Sequence, residues 1–482
     1  MGVIQIITIS FMVAAATTIN TGVFSVKYKY AGRERTLAAL KEHDSRRQLR
    51  ILASVDLPIG GTGRPDAVGL YYAKIGIGTP SKDYYVQVDT GSDIMWVNCI
   101  QCKECPKKSS LGIDLTLYNP KDSDTGRIVT CSQPFCYEVN GGTPYGCSMP
   151  NKTCTYLEIY GDGSSTAGTF VKDIVQYARV SGDLETSSAN GTVMFGCGAT
   201  QSGDLSSSSD EAVDGILGFG KSNTSMISQL ASSGKVKKMF AHCLDGVNGG
   251  GIFAIGHVVQ PKVNMTSLVP DQPHYNINMT AVQVGNETLN LPEGVFEAGE
   301  QKGAIIDSGT TLVYLPEVVY EPLLSKILSQ HPNLKFHTVE EDYNCFQYSG
   351  SVDDAFPNVT FHFDNSVYMK VPPHEYLFPY EGLWCIGWQN SGTQSRDRRN
   401  MTLLGDLVLS NKLVLYDLEN QVVGWTEYNC SSTIKVEDER TGTVHLVGSY
   451  TIPSDSSLIT PWTVVELLVL NMLLHCLLKD WH

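Results

Sequence analysis

The chain has 482 residues, a formal net charge of −15 and 45 glycines. That length exceeds one typical domain, and the acidic balance argues against nucleic acid as a partner, because a phosphate backbone demands a basic face. Neither a Gly-rich phosphate-binding motif nor a Gly-x-Ser-x-Gly nucleophile elbow occurs.

In chain order, the first predicted element is the apolar run Val3 to Ala16, followed by small and polar residues. It resembles a secretory signal peptide, 1–22, although no Lys or Arg precedes it. Residues Lys27 to Arg50 are rich in Lys and Arg and contain the pair Arg46-Arg47. The segment 23–68 reads as a propeptide, with a disordered linker as the alternative. Beyond it, short Val/Ile/Tyr/Phe runs alternate with Gly, Pro, Asn and Ser clusters, as in Gly251 to Gly256, Tyr275 to Gly285 and Val359 to Phe363. These read as strands and turns and give an all-β fold class. One helix stands out, Glu317 to Gln330, where Val318, Val319, Leu323, Leu324, Ile327 and Leu328 recur at helical spacing after Pro316, with Pro322 as a kink or a delayed start.

At the C-terminal end, Trp462 to Leu478 is apolar but interrupted by Glu466, Asn471 and His475, and it is short for a membrane span. Small residues at Ser454-Asp455-Ser456-Ser457 precede it, with Gly448-Ser449 as an alternative attachment site. The end 458–482, after a linker 431–457, reads as a GPI-anchor signal, so the expected membrane partner is met through an anchor. There are 13 cysteines; setting Cys476 aside with the tail leaves an even number, which suits disulfide pairing in the secretory pathway. Cys99-x-x-Cys102-x-x-Cys105 also has a metal-like spacing, but no fourth-ligand spacing follows and no metal or other cofactor is expected. Asn-x-Ser/Thr sequons occur at Asn151, Asn190, Asn223, Asn264, Asn278, Asn286, Asn358, Asn400 and Asn429, and several are expected to be glycosylated.

The strongest chemical signal is a repeat. Asp89-Thr90-Gly91-Ser92 and Asp307-Ser308-Gly309-Thr310 are near-copies, each entered and left by β-like runs: Tyr84 to Val88 and Ile94 to Val97 around the first, Ala304 to Ile306 and Leu312 to Leu315 around the second. A third match, Asp124-Thr125-Gly126, has polar flanks and reads as a surface turn. Two carboxyls sharing one site cannot both ionise comfortably, so one stays protonated while its partner can activate a water.

These residues resemble the pepsin-like aspartic proteases. Tyr160-Gly161-Asp162-Gly163-Ser164 resembles the flap hairpin, and Gly215-Ile216-Leu217-Gly218 and Leu403-Leu404-Gly405-Asp406 resemble the apolar segments beneath each aspartate. The order of the five motifs matches the family. The resemblance implies a bilobal fold, 69–262 and 263–430, with a cleft between lobes that join near Pro261 to Pro273. It implies that Asp89 and Asp307 are catalytic and that Thr90 and Ser308 tie the two loops together. It also implies that Gly91 and Gly309 allow close backbone approach, and that Ser92 and Thr310 bond the outer carboxylate oxygens. Tyr160, with Gly161, Asp162 and Gly163, would close over substrate; a half-buried strand tyrosine is the alternative. Trp96 would support Tyr160, or be a plain core residue. The cysteine-rich insertion, Cys99 to Cys154, resembles the nepenthesin-like plant branch, and by that resemblance Cys345 and Cys385 pair. A basic propeptide would occupy the acidic cleft. The implied activity is acid-favoured endoproteolysis of polypeptides by a monomer, extracellular or at the plasma membrane. Two rivals are a binding or inhibitor protein on the same fold and a cysteine-based metal-binding surface module.

Overall fold

The computed structural model describes residues 53–450 and 452, apart from 66–68, 143–146, 207–210, 297–302, 340–342, 394–399 and 439–440. The expected signal peptide, most of the expected propeptide and the expected anchor signal lie outside the described residues.

Short strands dominate because the sequence alternates β-branched and aromatic runs with glycine turns. At the centre is an antiparallel sheet built from both halves of the chain. Its order is Asn264–Ser267, Val422–Glu427, Lys412–Asp417, Met239–Leu244, Gly251–Ile255 and Val55–Asp56. Met239–Leu244, Gly251–Ile255 and Lys412–Asp417 are buried at every position, as expected for strands covered on both faces. One lobe continues this sheet through the long hairpin Ser165–Gly182 and Glu185–Ser202 and on to Lys82–Asp89 and Leu70–Ile77. The other builds smaller sheets around Ala304–Ile306, Thr402–Leu404 and Val313–Leu315, and around Met279–Val284 and Val359–Phe363.

The helix Glu317–Leu328 buries Val319, Tyr320, Leu323 and Ile327. Pro322 lies inside it, where its missing N–H would otherwise bond the carbonyl of Val318; Val318 is exposed.

Two boundaries differ from the expected ones. Within 23–68, Val55–Asp56 pairs with two strands of the central sheet, and Ile59–Thr62 pairs with Leu70–Ile77. The apolar residues Val55, Leu57 and Ile59 are fully buried, so this part belongs to the folded body. Within the expected linker 431–457, Thr433–Asp438 and Thr443–Gly448 form a hairpin paired to His257–Gln260. Alternation of buried Ile434, Val436 and Val447 with polar residues explains why the segment folds as strands. Beyond it, Tyr450 bridges Gly251, and the Ile452 amide bonds the carbonyl of Ile59.

Among the described residues there are six disulfides: Cys99–Cys197, Cys102–Cys105, Cys131–Cys147, Cys136–Cys154, Cys243–Cys430 and Cys345–Cys385. They engage every cysteine of the Cys99-x-x-Cys102-x-x-Cys105 run, which leaves that run no free thiolate to ligate a metal.

Candidate active site

Asp89 ends the strand Lys82–Asp89, and Asp307 follows Ala304–Ile306. Each strand is held by an apolar partner threaded alongside it. Gly215–Gly218 runs parallel to Lys82–Asp89, and Thr402–Leu404 runs parallel to Ala304–Ile306. Cross-bonds lock each loop: the Phe219 amide to the Asp89 carbonyl at 2.7 Å, and the Asp307 amide to the Leu404 carbonyl at 3.1 Å. The two loops therefore have the same construction, as their matching sequences require.

Both carboxyls are nearly enclosed, Asp89 being 5% and Asp307 7% exposed. Asp89 Oδ1 accepts from the amides of Gly91 at 2.8 Å and Ser92 at 3.2 Å, and its Oδ2 accepts from the Ser92 hydroxyl. Asp307 Oδ1 accepts from the Gly309 amide at 2.8 Å, and its Oδ2 from the Thr310 hydroxyl at 2.7 Å.

Each glycine lies against the opposite carboxyl: a Cβ on Gly91 would fall 2.5 Å from Asp307 Cγ, and one on Gly309 would collide with Asp89. The two carboxyls are hydrogen-bonded to each other, and burial, then the charge of Asp307, push the Asp89 pKa well up. One proton is thus retained by the pair.

Below the dyad the loops are tied together. The Ser308 amide donates to Thr90 Oγ1 at 2.9 Å, Thr90 Oγ1 donates to the Ile306 carbonyl at 3.4 Å, and Ser308 Oγ donates to the Val88 carbonyl at 3.4 Å. Gln87 adds a further tie across the junction, its Nε2 donating to the Gly309 carbonyl at 3.2 Å.

Tyr160 stands at the tip between Thr155–Ile159 and Ser165–Gly182. The turn closes by Tyr160 amide to Ser164 carbonyl, and Asp162 Oδ1 accepts from the amide and hydroxyl of Ser164 at 2.9 and 2.8 Å. Gly163 has φ +88, a conformation that favours glycine. Gly161, Asp162 and Gly163 are exposed. Trp96 Nε1 donates to Tyr160 Oη at 2.7 Å, so buried Trp96 is a core residue with its one donor aimed at the flap. Burial, then the charge of Asp89, raise the Tyr160 pKa and keep it a hydroxyl. The Asp124-Thr125-Gly126 match lies in a separate turn, where Thr125 bonds Asp173 and Thr79.

Sequence reasoning gave no role to Asp406, which the structure places beneath the dyad. It is 1% exposed, its Oδ1 has no partner, and burial, then the charges of Asp307 and Asp89, raise its pKa strongly. A third, protonated carboxyl therefore lies within electrostatic reach of the pair. The available signal was an acid directly after the apolar run Leu403-Leu404-Gly405. Glu158 was also missed. It shares a strand face with Tyr156 and Tyr160 by two-residue alternation, and burial, then the charge of Asp93, push its pKa up to about 7.

Comparison with known proteins agrees with this construction. Residues 71–257 match the family described as xylanase inhibitor N-terminal, and 274–427 match xylanase inhibitor C-terminal. The chain is 47% identical to aspartic proteinase 36 of Arabidopsis thaliana over 465 residues, 96% of this chain and 95% of the relative. It is 48% identical to aspartic proteinase 39 of the same plant over 433 residues, 90% and 89%. Nepenthesin-2 of Nepenthes gracilis is 27% identical over 380 residues, 76% and 79%. Among solved structures, soybean basic 7S globulin superposes with a TM-score of 0.59 at 20% identity, covering 78% of this chain and 96% of that one, which speaks for the fold alone. With the two family matches, the close plant relatives and the paired aspartate loops together, the chain belongs to the plant pepsin-like aspartic proteases.

Proposed function

We propose that this chain is an endopeptidase that hydrolyses polypeptides at acid pH through a water activated between Asp89 and Asp307. The observation that carries the reading is the convergence of the two carboxyls, each with a glycine of the other loop against it. The ionised member takes a proton from the water as it attacks the peptide carbonyl, and the protonated member donates to the carbonyl oxygen. The diol-like intermediate collapses as a proton passes to the leaving nitrogen, and the dyad returns to its singly protonated state. No covalent intermediate forms. Substrate lies extended in the interlobe cleft beneath Tyr160 and pairs its backbone with strand edges.

Acid operation is supported by carboxyls across the body that hold protons tightly. Burial pushes Asp56 and Asp214 up to about 7. Secretion and GPI anchoring rest on the sequence signals, with support from six disulfides and from the exposure of the asparagine in all nine sequons. Among the described residues, no helix is long and apolar enough to cross a membrane. Release from cells by phosphatidylinositol-specific phospholipase tests the anchor; retention after treatment counts against it.

The catalytic reading is tested by incubating the purified chain with a peptide library across a pH series, beside Asp89→Asn. Cleavage lost in the variant supports it; equal cleavage by both removes it. A non-catalytic inhibitor is the second reading, favoured by the description of the matched family. It predicts inhibition of a xylanase, with no peptide cleaved at any pH.

A further inference from the structure

Two bridges of the cysteine-rich insertion touch each other. Cys131–Cys147 and Cys136–Cys154 are separate disulfides, yet Cys136 Sγ and Cys147 Sγ lie only 3.8 Å apart, in van der Waals contact across the two bonds. The sulfurs of Cys131, Cys136 and Cys147 all lie within 4.8 Å of one another. Their exposure is uneven. Cys136 and Cys154 are 0% and Cys131 is 3% exposed, whereas Cys147 is half-buried. A thiol arriving from solvent therefore meets the outer bridge first, at Cys147.

The inner bridge holds the base of the flap. Cys154 directly precedes the strand Thr155–Ile159, which ends at Tyr160, and its partner Cys136 lies in the short helix Pro134–Val139. Cys136, Cys154, Trp96 and Tyr156 share one apolar cluster, with Tyr160 packed against it.

The atoms around the four sulfurs give an exchange its direction. Cys131 Sγ lies 3.7 Å from the Thr153 carbonyl. A carbonyl can only accept, so after reduction it retains Cys131 as the S–H form. Cys147, open to water, becomes the thiolate, and Cys136 Sγ is already in contact with it. The sulfur that would leave is Cys154 Sγ, which has the Asn140 Nδ2 donor 4.0 Å away. That N–H stabilises charge on the departing sulfur.

We propose that Cys131–Cys147 is a redox-modification site through which an external dithiol releases the flap strand. The dithiol is oxidised to its own disulfide and delivers two electrons and two protons to Cys131 and Cys147. The Cys147 thiolate then attacks Cys136 Sγ. The Cys136–Cys147 bond forms as the Cys136–Cys154 bond breaks, and Cys154 leaves as a thiolate that takes up the proton Cys147 gave up. The product keeps one bridge, carries thiols at Cys131 and Cys154, and no longer ties the flap strand to the helix Pro134–Val139. The exchange stands on the sulfur geometry alone; its effect on cleavage rests on the peptidase reading above.

The purified full chain tests this when it is treated with graded dithiothreitol at neutral pH, quenched in acid and alkylated, and its bridges are mapped by mass spectrometry. Alkylated Cys131 and Cys154, with a new Cys136–Cys147 bridge, are expected at the lowest effective dose. Alkylation confined to Cys131 and Cys147 overturns the proposal. In Cys131→Ser the Cys147 thiol is present from the start, so the Cys136–Cys147 bridge is expected with no reductant in at least about one molecule in ten; a wholly intact Cys136–Cys154 bridge there overturns it too. In Cys131→Ser/Cys147→Ser the inner bridge is expected to need about 10-fold more dithiothreitol, and equal sensitivity counts against the relay. Treated wild-type protein is expected to lose about 10-fold in kcat/KM and to regain it on reoxidation; exchange with kcat/KM unchanged removes the link to the flap. Failure of the untreated chain to cleave any peptide overturns the peptidase reading instead, and the bridge map then decides this inference alone.

Discussion

Gly309 passes Asp89 so closely that a Cβ there would collide with the aspartate's Oδ1. The neighbour in conflict is a functional carboxyl already bonded to Gly91 and Ser92, so it cannot swing away without losing those bonds. Gly309→Ala is therefore expected to lower kcat at least about 100-fold while the protein still folds, because a displacement near 1 Å at the reacting groups suffices for such a loss. Steady-state kinetics beside a melting curve checks this. A fully active alanine variant would show that the loops have slack the geometry denies.

Trp96 and Tyr160 share one hydrogen bond of 2.7 Å. Trp96→Phe deletes the donor together with the pyrrole half of a fully buried ring, so about 10-fold is expected to be lost from kcat/KM, beside a lowered Tm from the cavity left behind. Added to Tyr160→Phe, it is expected to have little further effect, since the acceptor is already gone. A double-mutant cycle reads the coupling directly.

The pH dependence of stability follows from Asp56. Its folded-state pKa is raised from 3.8 to about 7 by burial, with a Tyr450 hydrogen bond opposing the rise. The folded state therefore binds the proton more tightly than the unfolded chain does. Its stabilising contribution is full below about pH 4 and is lost as pH rises toward 7, on the order of 4 kcal/mol at most. Melting temperatures recorded from pH 4 to pH 8 are expected to fall across that window. In Asp56→Asn, which does not titrate, the slope is expected to be shallower.

Lys412 and Glu375 form an ion pair of 2.6 Å with side chains 2% and 8% exposed. Lys412→Met leaves the Glu375 carboxyl buried without its cation, and a loss of about 3–5 kcal/mol is expected in urea unfolding at neutral pH. Lys412→Met combined with Glu375→Leu is expected to recover much of that loss, because no unpaired charge remains.

The pairing of the two aspartate loops was legible in the sequence because they repeat one residue pattern at fixed spacing, with flanks that form strands. The helix Glu317–Leu328 was legible from its apolar period. What escaped depends on contacts distant along the chain. Asp406 reads locally as an acid opening the short helix Asp406–Leu409, and only the fold reveals that it is buried under the dyad. His242 sits in a run, Met239 to Leu244, that is buried at every position and paired on both edges, one partner lying far ahead in the sequence. The hairpin at 433–448 was missed because each strand is short and partly polar. Its stability comes from pairing with His257–Gln260 and from the Leu184 amide bonding the Leu446 carbonyl.

The bridge Cys243–Cys430 joins the central sheet to a residue three positions past the end of its strand Val422–Glu427. It has a mechanical consequence for a body tethered by its C-terminal end. Tension applied there would first detach residue 452 from Ile59, then Tyr450 from Gly251, and then peel the terminal hairpin. At the covalent link the unravelling stops, so the load passes into the strand Met239–Leu244 without drawing out Thr402–Leu404 or the loop it braces. On the anchored reading proposed above, the last twenty or so described residues would work as a sacrificial spring, and the paired aspartate loops would be insulated from a load applied at that end.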